Sequence, residues 1–176
     1  MCPHCPVRVN LRLRSHDYSS VGAYFVTVCT AQRRPLFGSI YSTGMILTAM
    51  GAAVNDAWHD LPAHHWPIEL DEFIIMPDHI HGIIVFSDPG RGDLADTLPI
   101  DWTGRSTLGS VVGGFKSSAA RRIHRLSGVH RGPVWQRGYY DRIIRSDTAL
   151  DRVRRYIAMN PPRAIERMRA SGTPRT

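Results

Sequence analysis

Alternating apolar and polar positions, rich in β-branched and aromatic residues, predict four strands in this chain. They cover residues 24–30, 66–76, 79–86 and 134–144, the last with a bend at Gly138. The short segment Met76-Pro77-Asp78 predicts a tight hairpin between the second and third strands. Residues 32–39 contain a proline and a glycine and predict a turn-rich connection.

Apolar residues at helical spacing predict helices between these strands. One covers residues 45–61 and ends before Pro62, and a second covers residues 107–126. A third starts at a cap formed by Ser146 or Asp147 and ends at Met159, because the residue before a proline avoids the helical region. Residues 163–170 predict a short basic final helix.

The element order β-α-β-β-α-β followed by a helix is typical of the ferredoxin-like (split βαβ) fold. We therefore predict the α+β class: a four-stranded antiparallel sheet with two helices on one face and a C-terminal helix that bears a tyrosine. The opposite face is then open for a ligand or for that helix. A chain of 176 residues suits one domain, with a core of about residues 8–165 and a basic C-terminal tail.

The composition predicts a cytoplasmic protein with no membrane partner. No apolar run approaches the roughly 20 residues of a membrane span, and the N-terminus lacks the pattern of a signal peptide.

Positive charge is concentrated in the second part of the chain. Of 22 basic and 15 acidic residues, 15 basic but only 4 acidic residues lie after residue 115. Nearly all of the basic residues are arginines, which bind phosphates bidentately and stack on bases, so this part of the chain predicts a nucleic-acid surface and association with the nucleoid. The candidate phosphate-binding residues are Lys116, Arg121, Arg122, Arg125, Arg152, Arg155 and Arg163.

His79 and His81 form the most informative local pattern. If residues 79–86 are a strand, both side chains point to one face, with Cα atoms roughly 6.5–7 Å apart. Two imidazoles at that spacing can bind one metal ion if a third ligand arrives from elsewhere. The pair alone is equally compatible with ordinary packing.

Tyr156 and Asn160 supply the missing chemistry, because residues four apart on one helix share a face. The amide oxygen of Asn160 could be the third metal ligand. The phenol of Tyr156 could attack phosphorus once a metal or a base activates it. Tyr139 and Tyr140 are rival nucleophiles; we expect one to face the core and the other to be exposed.

Four other histidines lie in polar loops or beside an arginine, and we expect each of their side chains to be exposed to solvent. They are His64, His65, His124 and His130.

Five segments, in this order, resemble the IS200-like single-tyrosine HUH transposases, and more narrowly the REP-associated tyrosine transposases. The segments are Tyr24-Phe25-Val26-Thr27, Met76-Pro77-Asp78-His79-Ile80-His81-Gly82, Gly114-Phe115-Lys116, Val134-Trp135-Gln136-Arg137-Gly138-Tyr139-Tyr140-Asp141 and Tyr156-Ile157-Ala158-Met159-Asn160-Pro161. The resemblance runs from about residue 8 to residue 165, nearly the whole chain.

The resemblance implies an endonuclease and strand transferase that acts on single-stranded or hairpin DNA through a 5′-phosphotyrosine. Carried onto this sequence, Tyr156 is the nucleophile, and His79, His81 and Asn160 hold Mg²⁺ or Mn²⁺. An Asn rather than a Gln at position 160 favours the REP-associated branch. The resemblance leaves a monomer and a homodimer open.

Two other functions remain open from the sequence. A non-catalytic single-stranded nucleic-acid-binding protein could use the same sheet, although the aromatic motif of RNA-recognition modules is absent. A rolling-circle replication initiator also uses a histidine pair, but on a longer domain with different flanks.

Overall fold

The computed structural model describes residues 20–65, 67–87, 106–128 and 132–170. The strands are β1 (Gly22–Cys29), β2 (Gly38–Tyr41), β3 (Gly44–Leu47), β4 (Ile68–Met76), β5 (His79–Phe86) and β6 (Tyr140–Ile144). The helices are α1 (Ala49–His59), α2 (Leu61–His64), α3 (Leu108–Ser127), α4 (Asp147–Ala158) and α5 (Asn160–Ala170). In these ranges every helix is too short or too polar to cross a lipid bilayer.

Four strands form one antiparallel sheet in the order β4-β5-β1-β6, which confirms the predicted α+β, ferredoxin-like fold. The β4–β5 hairpin closes through Pro77 and Asp78, with Met76 paired to His79. This register places the histidine pair at the start of β5, beside the end of β1, where Thr27 pairs with His81.

The two faces of the sheet have different coverings because side chains alternate along each strand. On one face, Ile80 and Ile84 of β5 join the main core with Trp58 of α1 and Phe115 of α3. Gly82 lies on the same face, where an added Cβ would come within 2.4 Å of the Trp58 ring. The glycine therefore lets α1 approach the strand closely.

The opposite face is covered by α4. Phe25 of β1 and Ile83 of β5 form a smaller cluster with Ile157 of α4, and Ile157 is fully buried. The face that the sequence left open is thus occupied by the tyrosine-bearing helix.

The prediction of one helix over residues 45–61 was wrong at both ends. Met45, Ile46 and Leu47 belong to β3, which pairs with β2 in a separate two-stranded sheet. The helix begins after Thr48, whose hydroxyl accepts a hydrogen bond from the Gly51 amide at 3.1 Å. Three apolar residues before the cap extended the apparent helical pattern into the strand.

Three prolines were also misinterpreted as helix stops. Pro62 lies in the first turn of α2, and Pro161 and Pro162 lie in the first turn of α5. The first turn of a helix tolerates proline because its amide groups have no partner within the helix. The final helix therefore begins at Asn160 rather than Arg163, and α4 ends at Ala158 with Met159 as its C-cap.

The fourth strand is shorter than predicted, since only Tyr140–Ile144 joins the sheet. Trp135 makes an isolated bridge with Thr30, and Gly138 has a φ of 91°, so the chain turns where the bend was expected. The predicted helix over residues 107–126 is confirmed as α3, with Thr107 in a capping box. Most of the long loop that follows β5 lies outside the described residues.

Candidate active site

His79 is held by the residue that precedes it in the hairpin turn. Its Nδ1 lies 2.6 Å from Oδ1 of Asp78, and the residue is 6 % exposed. Its Nε2 is buried and has no hydrogen-bond partner among the described residues. Leaving a buried imidazole nitrogen unpaired is costly, so this atom indicates a ligand.

His81 is held by the neighbouring strand. Its Nδ1 lies 2.8 Å from the hydroxyl of Thr27, and its ring is stacked on Phe25 with centroids 5.3 Å apart. Because Nδ1 of each histidine is engaged by an oxygen, Nε2 is the nitrogen that each ring would present to a metal. Histidine ligands of metals are commonly oriented in this way.

The two histidine rings are close enough to serve one ion, with centroids 4.7 Å apart. In the described ranges, no group of three or more His, Cys, Asp or Glu side chains could hold a metal. Among the described residues, a third ligand would therefore be of another type, such as an amide, with a substrate oxygen or water as the alternatives. The donor set fits a divalent ion bound by two imidazoles and oxygen atoms.

Tyr156 lies on the same face of the sheet as the histidine pair. Its ring centroid is 5.3 Å from that of His81 and 5.9 Å from that of Phe25, both in edge-to-face geometry. Helix α4 achieves this because Leu150, Val153 and Ile157 pack against the sheet at helical spacing. The structure thus brings together His79, His81 and Tyr156.

Asn160 does not lie on the same helix as Tyr156, contrary to the prediction. It follows the C-cap of α4 and is the first residue of α5. Its side-chain amide donates a hydrogen bond to the backbone carbonyl of Tyr156 at 2.9 Å, and the residue is 7 % exposed. Asn160 therefore fixes the end of the tyrosine-bearing helix.

An ion pair that the sequence did not reveal anchors α4 across the sheet. Arg154 donates to both carboxylate oxygens of Asp71 on β4, with Nε–Oδ1 at 2.9 Å and Nη2–Oδ2 at 2.5 Å. The hydrogen bond from Arg154 holds the pKa of Asp71 below its ordinary value. The ion pair therefore stabilises the fold at pH values above the ordinary pKa of an aspartate. This contribution is lost as the pH falls through the lowered pKa of Asp71.

Asp78 links His79 to the segment after β1. Its Oδ2 accepts from Nε of Arg33 at 2.9 Å while its Oδ1 engages His79. Burial acts to raise the pKa of Asp78, but the His79 hydrogen bond and the charges of His79 and Arg33 outweigh it, so the pKa is lowered. Gln32 and Arg33 both have a φ of 57°, a strained conformation next to the site.

The rival tyrosines lie on opposite faces of the sheet, and both are partly buried. Tyr139 packs with the main core, as one of the pair was expected to do. The other tyrosine was expected to be exposed, but Tyr140 packs on the α4 side, with its ring centroid 6.4 Å from that of Phe25. Its nearness to Tyr156 keeps it relevant to the site.

The interpretation of His65 and His124 as solvated residues was wrong. His65 is half-buried, its Nδ1 lies 3.4 Å from the Ser106 hydroxyl, and burial followed by the charge of His64 lowers its pKa. His124 lies within α3, and its Nε2 is buried. His64 is exposed as expected, and His130 lies outside the described residues.

The predicted phosphate-binding residues fall into two groups. Lys116, Arg121, Arg122 and Arg125 are on α3, which packs on the face opposite Tyr156. Arg152, Arg155 and Arg163 are on α4 and α5 and are exposed.

Two members of the α3 group have protein partners. The Lys116 ammonium donates to the carbonyls of Gln136 at 2.8 Å and Gly138 at 3.0 Å, and burial lowers its pKa. Arg122 is paired with Asp60. These two cations hold loops in place, whatever else they contact.

Comparisons with known proteins agree with this fold. No protein-family model matches the chain. Over 89 % of its length it is similar in structure to a REP-associated tyrosine transposase solved with a REP hairpin, of which it covers 74 %, with a TM-score of 0.54 and 17 % identity. It is 35 % identical over 161 residues to an uncharacterized protein of Haemophilus influenzae, and the match covers 88 % of each chain. At this identity and coverage, the chain belongs to the same family as that Haemophilus protein.

Proposed function

We propose that this protein is a metal-dependent single-stranded DNA endonuclease and strand transferase that acts in DNA transposition. The observation that carries the proposal is the convergence of His79, His81 and Tyr156 on one face of the sheet. The ring centroid of His81 lies 4.7 Å from that of His79 and 5.3 Å from that of Tyr156. An unpaired buried nitrogen on His79 and a partly buried phenol beside His81 are the parts that phosphodiester transfer needs. The fold shared with a REP-associated tyrosine transposase supports the proposal.

The reaction we propose exchanges one phosphodiester for another. The Tyr156 oxygen loses its proton and attacks phosphorus, the bond from phosphorus to the 3′ oxygen breaks, and a 5′-phosphotyrosine and a 3′-hydroxyl result. A 3′-hydroxyl then attacks the phosphotyrosine and restores the phenol. Each step forms and breaks one P–O ester bond, so no external energy source is required.

A divalent ion, Mg²⁺ or Mn²⁺, would be held by His79 and His81, with Asn160 as the candidate oxygen ligand. When bound, it supplies Lewis-acid polarisation of the phosphoryl group and stabilises the leaving oxygen. The chain's own residues orient the reaction. Asp78 and Thr27 fix the two imidazoles, and Phe25 and His81 pack against the edge of the Tyr156 ring.

Hairpin DNA with a short single-stranded foot is the substrate class we propose. The similar transposase was solved with a REP hairpin, and palindromic REP-like DNA is the corresponding candidate here. A tyrosine needs in-line access to a phosphate, which a flexible single strand permits and a stacked duplex resists. Incubation with hairpins and Mn²⁺, followed by denaturing electrophoresis, should show a protein–DNA adduct. Perfect duplex should compete poorly for it.

A non-catalytic single-stranded nucleic-acid-binding protein is the second candidate, favoured by the aromatic residues Phe25 and Tyr140 beside exposed arginines. The same assay separates the two. Binding without metal-dependent cleavage or adduct on any hairpin or single strand would favour the second candidate.

We expect Asp78→Asn to weaken Mn²⁺ binding by about 10–100-fold, because the carboxylate that orients His79 is lost. The measurement is Mn²⁺ titration followed by electron paramagnetic resonance, alongside the metal dependence of adduct formation. Asp147→Asn, at an exposed carboxylate in the first turn of α4, is the matched control. Equal Mn²⁺ affinity in Asp78→Asn and the wild type would show that Asp78 has no role in orienting a ligand.

We expect alanine substitution of Arg121, Arg125, Arg152 or Arg155 to reduce the salt dependence of single-strand binding, each by a slope of about 0.7 per lost phosphate contact. Arg122→Ala should change it less, because its guanidinium is already paired with Asp60. Binding isotherms at several salt concentrations give the slopes. If only the Arg152 and Arg155 variants have a lower salt slope than the wild type, α3 does not contact DNA.

A further inference from the structure

A cavity of about 220 Å³ lies between α4 and the neighbouring strands β1 and β6. Its walls are the rings of Phe25, Tyr140 and Tyr156, together with Ala149 and Val153 from one face of α4. The proposed reaction leaves this space without a role. Its aromatic wall and its position beside Tyr156 make it a candidate binding site.

We propose that this cavity, the base slot, binds one nucleobase of the nucleotide adjacent to the phosphate that Tyr156 attacks. The inference rests on the proposed function and adds a substrate contact to the same site. Pockets for drug-sized ligands have volumes of about 300–1,000 Å³, so this smaller one suits a single ring system. Planar bases stack on aromatic side chains whatever their sequence.

Charge at the slot indicates a nucleotide rather than an uncharged aromatic ligand. Arg142 from β6 and Arg152 from α4 both line the cavity and are exposed. Arginine pairs with phosphate oxygens and also stacks on bases, so two guanidinium groups beside an aromatic wall match the two parts of a nucleotide. Arg142 was not among the residues that the sequence analysis selected.

Tyr156 is shared by the slot and the candidate metal site. It lines the cavity, and its ring also contacts His81, with centroids 5.3 Å apart. A phosphate presented to Tyr156 therefore belongs to a nucleotide whose base is within reach of Tyr140. A base bound there would restrain the strand and fix which phosphate faces the nucleophile, as productive phosphoryl transfer requires.

The slot can be closed without changing the aromatic wall. Ala149→Leu adds a branched side chain to a residue that lines the cavity, and leucine is well tolerated in helices. Ala158→Leu is the matched control, since it places the same side chain on an exposed position of the same helix.

The first measurement compares two short strands in metal-free buffer, so that no cleavage occurs. One is pentathymidylate, and the other is the same sugar-phosphate strand without any base. We expect the wild type and Ala158→Leu to bind the thymidylate strand more tightly by at least about tenfold, an effect typical of one stacked base. In Ala149→Leu we expect the two strands to bind with nearly equal affinity, because the preference for the thymidylate strand should fall by about tenfold.

The second measurement locates the base. Pentanucleotides of 5-iododeoxyuridine, irradiated with the protein, cross-link to aromatic side chains in stacking contact. We expect a cross-link at Tyr140 or Phe25 in the wild type and Ala158→Leu, and its loss in Ala149→Leu. Tyr140→Phe should keep the affinity difference between the two strands, and Tyr140→Leu should reduce it.

Adduct formation on hairpin DNA, measured with the same preparations, separates the two proposals. If the wild type forms the adduct but neither the affinity difference nor the cross-link depends on Ala149, the base slot is overturned and the nuclease stands. If no adduct forms with Mn²⁺, the proposed function is overturned, and with it the position assigned to the base. Adduct formation together with both Ala149-dependent effects supports both proposals.

Discussion

Tyr156→Phe should abolish both cleavage of single-stranded DNA and the covalent protein–DNA adduct, lowering the rate by at least about a thousandfold. The substitution removes the oxygen that attacks phosphorus in the first step of the proposed reaction, and loss of a nucleophile has effects of this size in other enzymes. The ring that packs edge-to-face against Phe25 and His81 is retained. Folding and DNA binding should therefore survive, as thermal melts and filter binding would show.

The neighbouring tyrosines provide the controls for this experiment. Tyr140 lies on the α4 side of the sheet, near Phe25, whereas Tyr139 packs with the main core on the other side. Tyr140→Phe and Tyr139→Phe should each leave the adduct intact. An adduct that persists in Tyr156→Phe but disappears in one of these two variants would assign the nucleophile to the tyrosine replaced in that variant.

The sequence predicted the sheet and the histidine pair well because both depend on a local periodicity. A two-residue repeat places His79 and His81 on one face in any strand, and the apolar run from Ile80 to Phe86 leaves few alternatives to a strand. The short Pro77-Asp78 connection then fixes β4 against β5. These features require no knowledge of distant partners.

The parts that were mispredicted depend on cues that local periodicity does not contain. The β2–β3 hairpin was interpreted as the start of a helix because Met45, Ile46 and Leu47 continue an apolar pattern, although Thr48 is the true cap. Proline was taken as a helix stop where it begins the next helix. Both errors arise at boundaries, where cap chemistry outweighs periodicity.

Long-range contacts of the site were not predictable from the sequence alone. Arg154 was one of several arginines on α4, and only the structure shows that it is the residue paired with Asp71. Asp78 stood within a recognisable motif, but its simultaneous contacts with His79 and Arg33 depend on the turn between β4 and β5. The charge pattern selected Lys116 as a phosphate ligand, whereas its ammonium faces two backbone carbonyls.

The histidine pair provides the second large expected effect. His79→Ala should abolish Mg²⁺- or Mn²⁺-dependent cleavage, because it removes the imidazole whose buried Nε2 is the best candidate ligand atom. Chelation of the metal from the wild type should have the same effect. His59→Ala is the control, since that exposed histidine of α1 engages the Asn55 carbonyl at 2.9 Å and packs edge-to-face on Phe73, on the side of the sheet opposite Tyr156.

His81→Ala should also abolish cleavage, but with a larger cost in stability. His81 is fully buried, engages Thr27 and stacks on Phe25, so its removal leaves a cavity and costs about 2–4 kcal/mol. Activity must therefore be measured well below the melting temperature of this variant.

Mn²⁺ binding decides whether the pair acts as ligands or as packing. Ligand roles predict that both variants lose Mn²⁺ affinity and the adduct even where melts show a fully folded protein. A structural role predicts unchanged Mn²⁺ affinity and residual cleavage in proportion to the folded fraction. Loss of activity in a His79→Ala protein that melts like the wild type would be the clearest sign of a metal site.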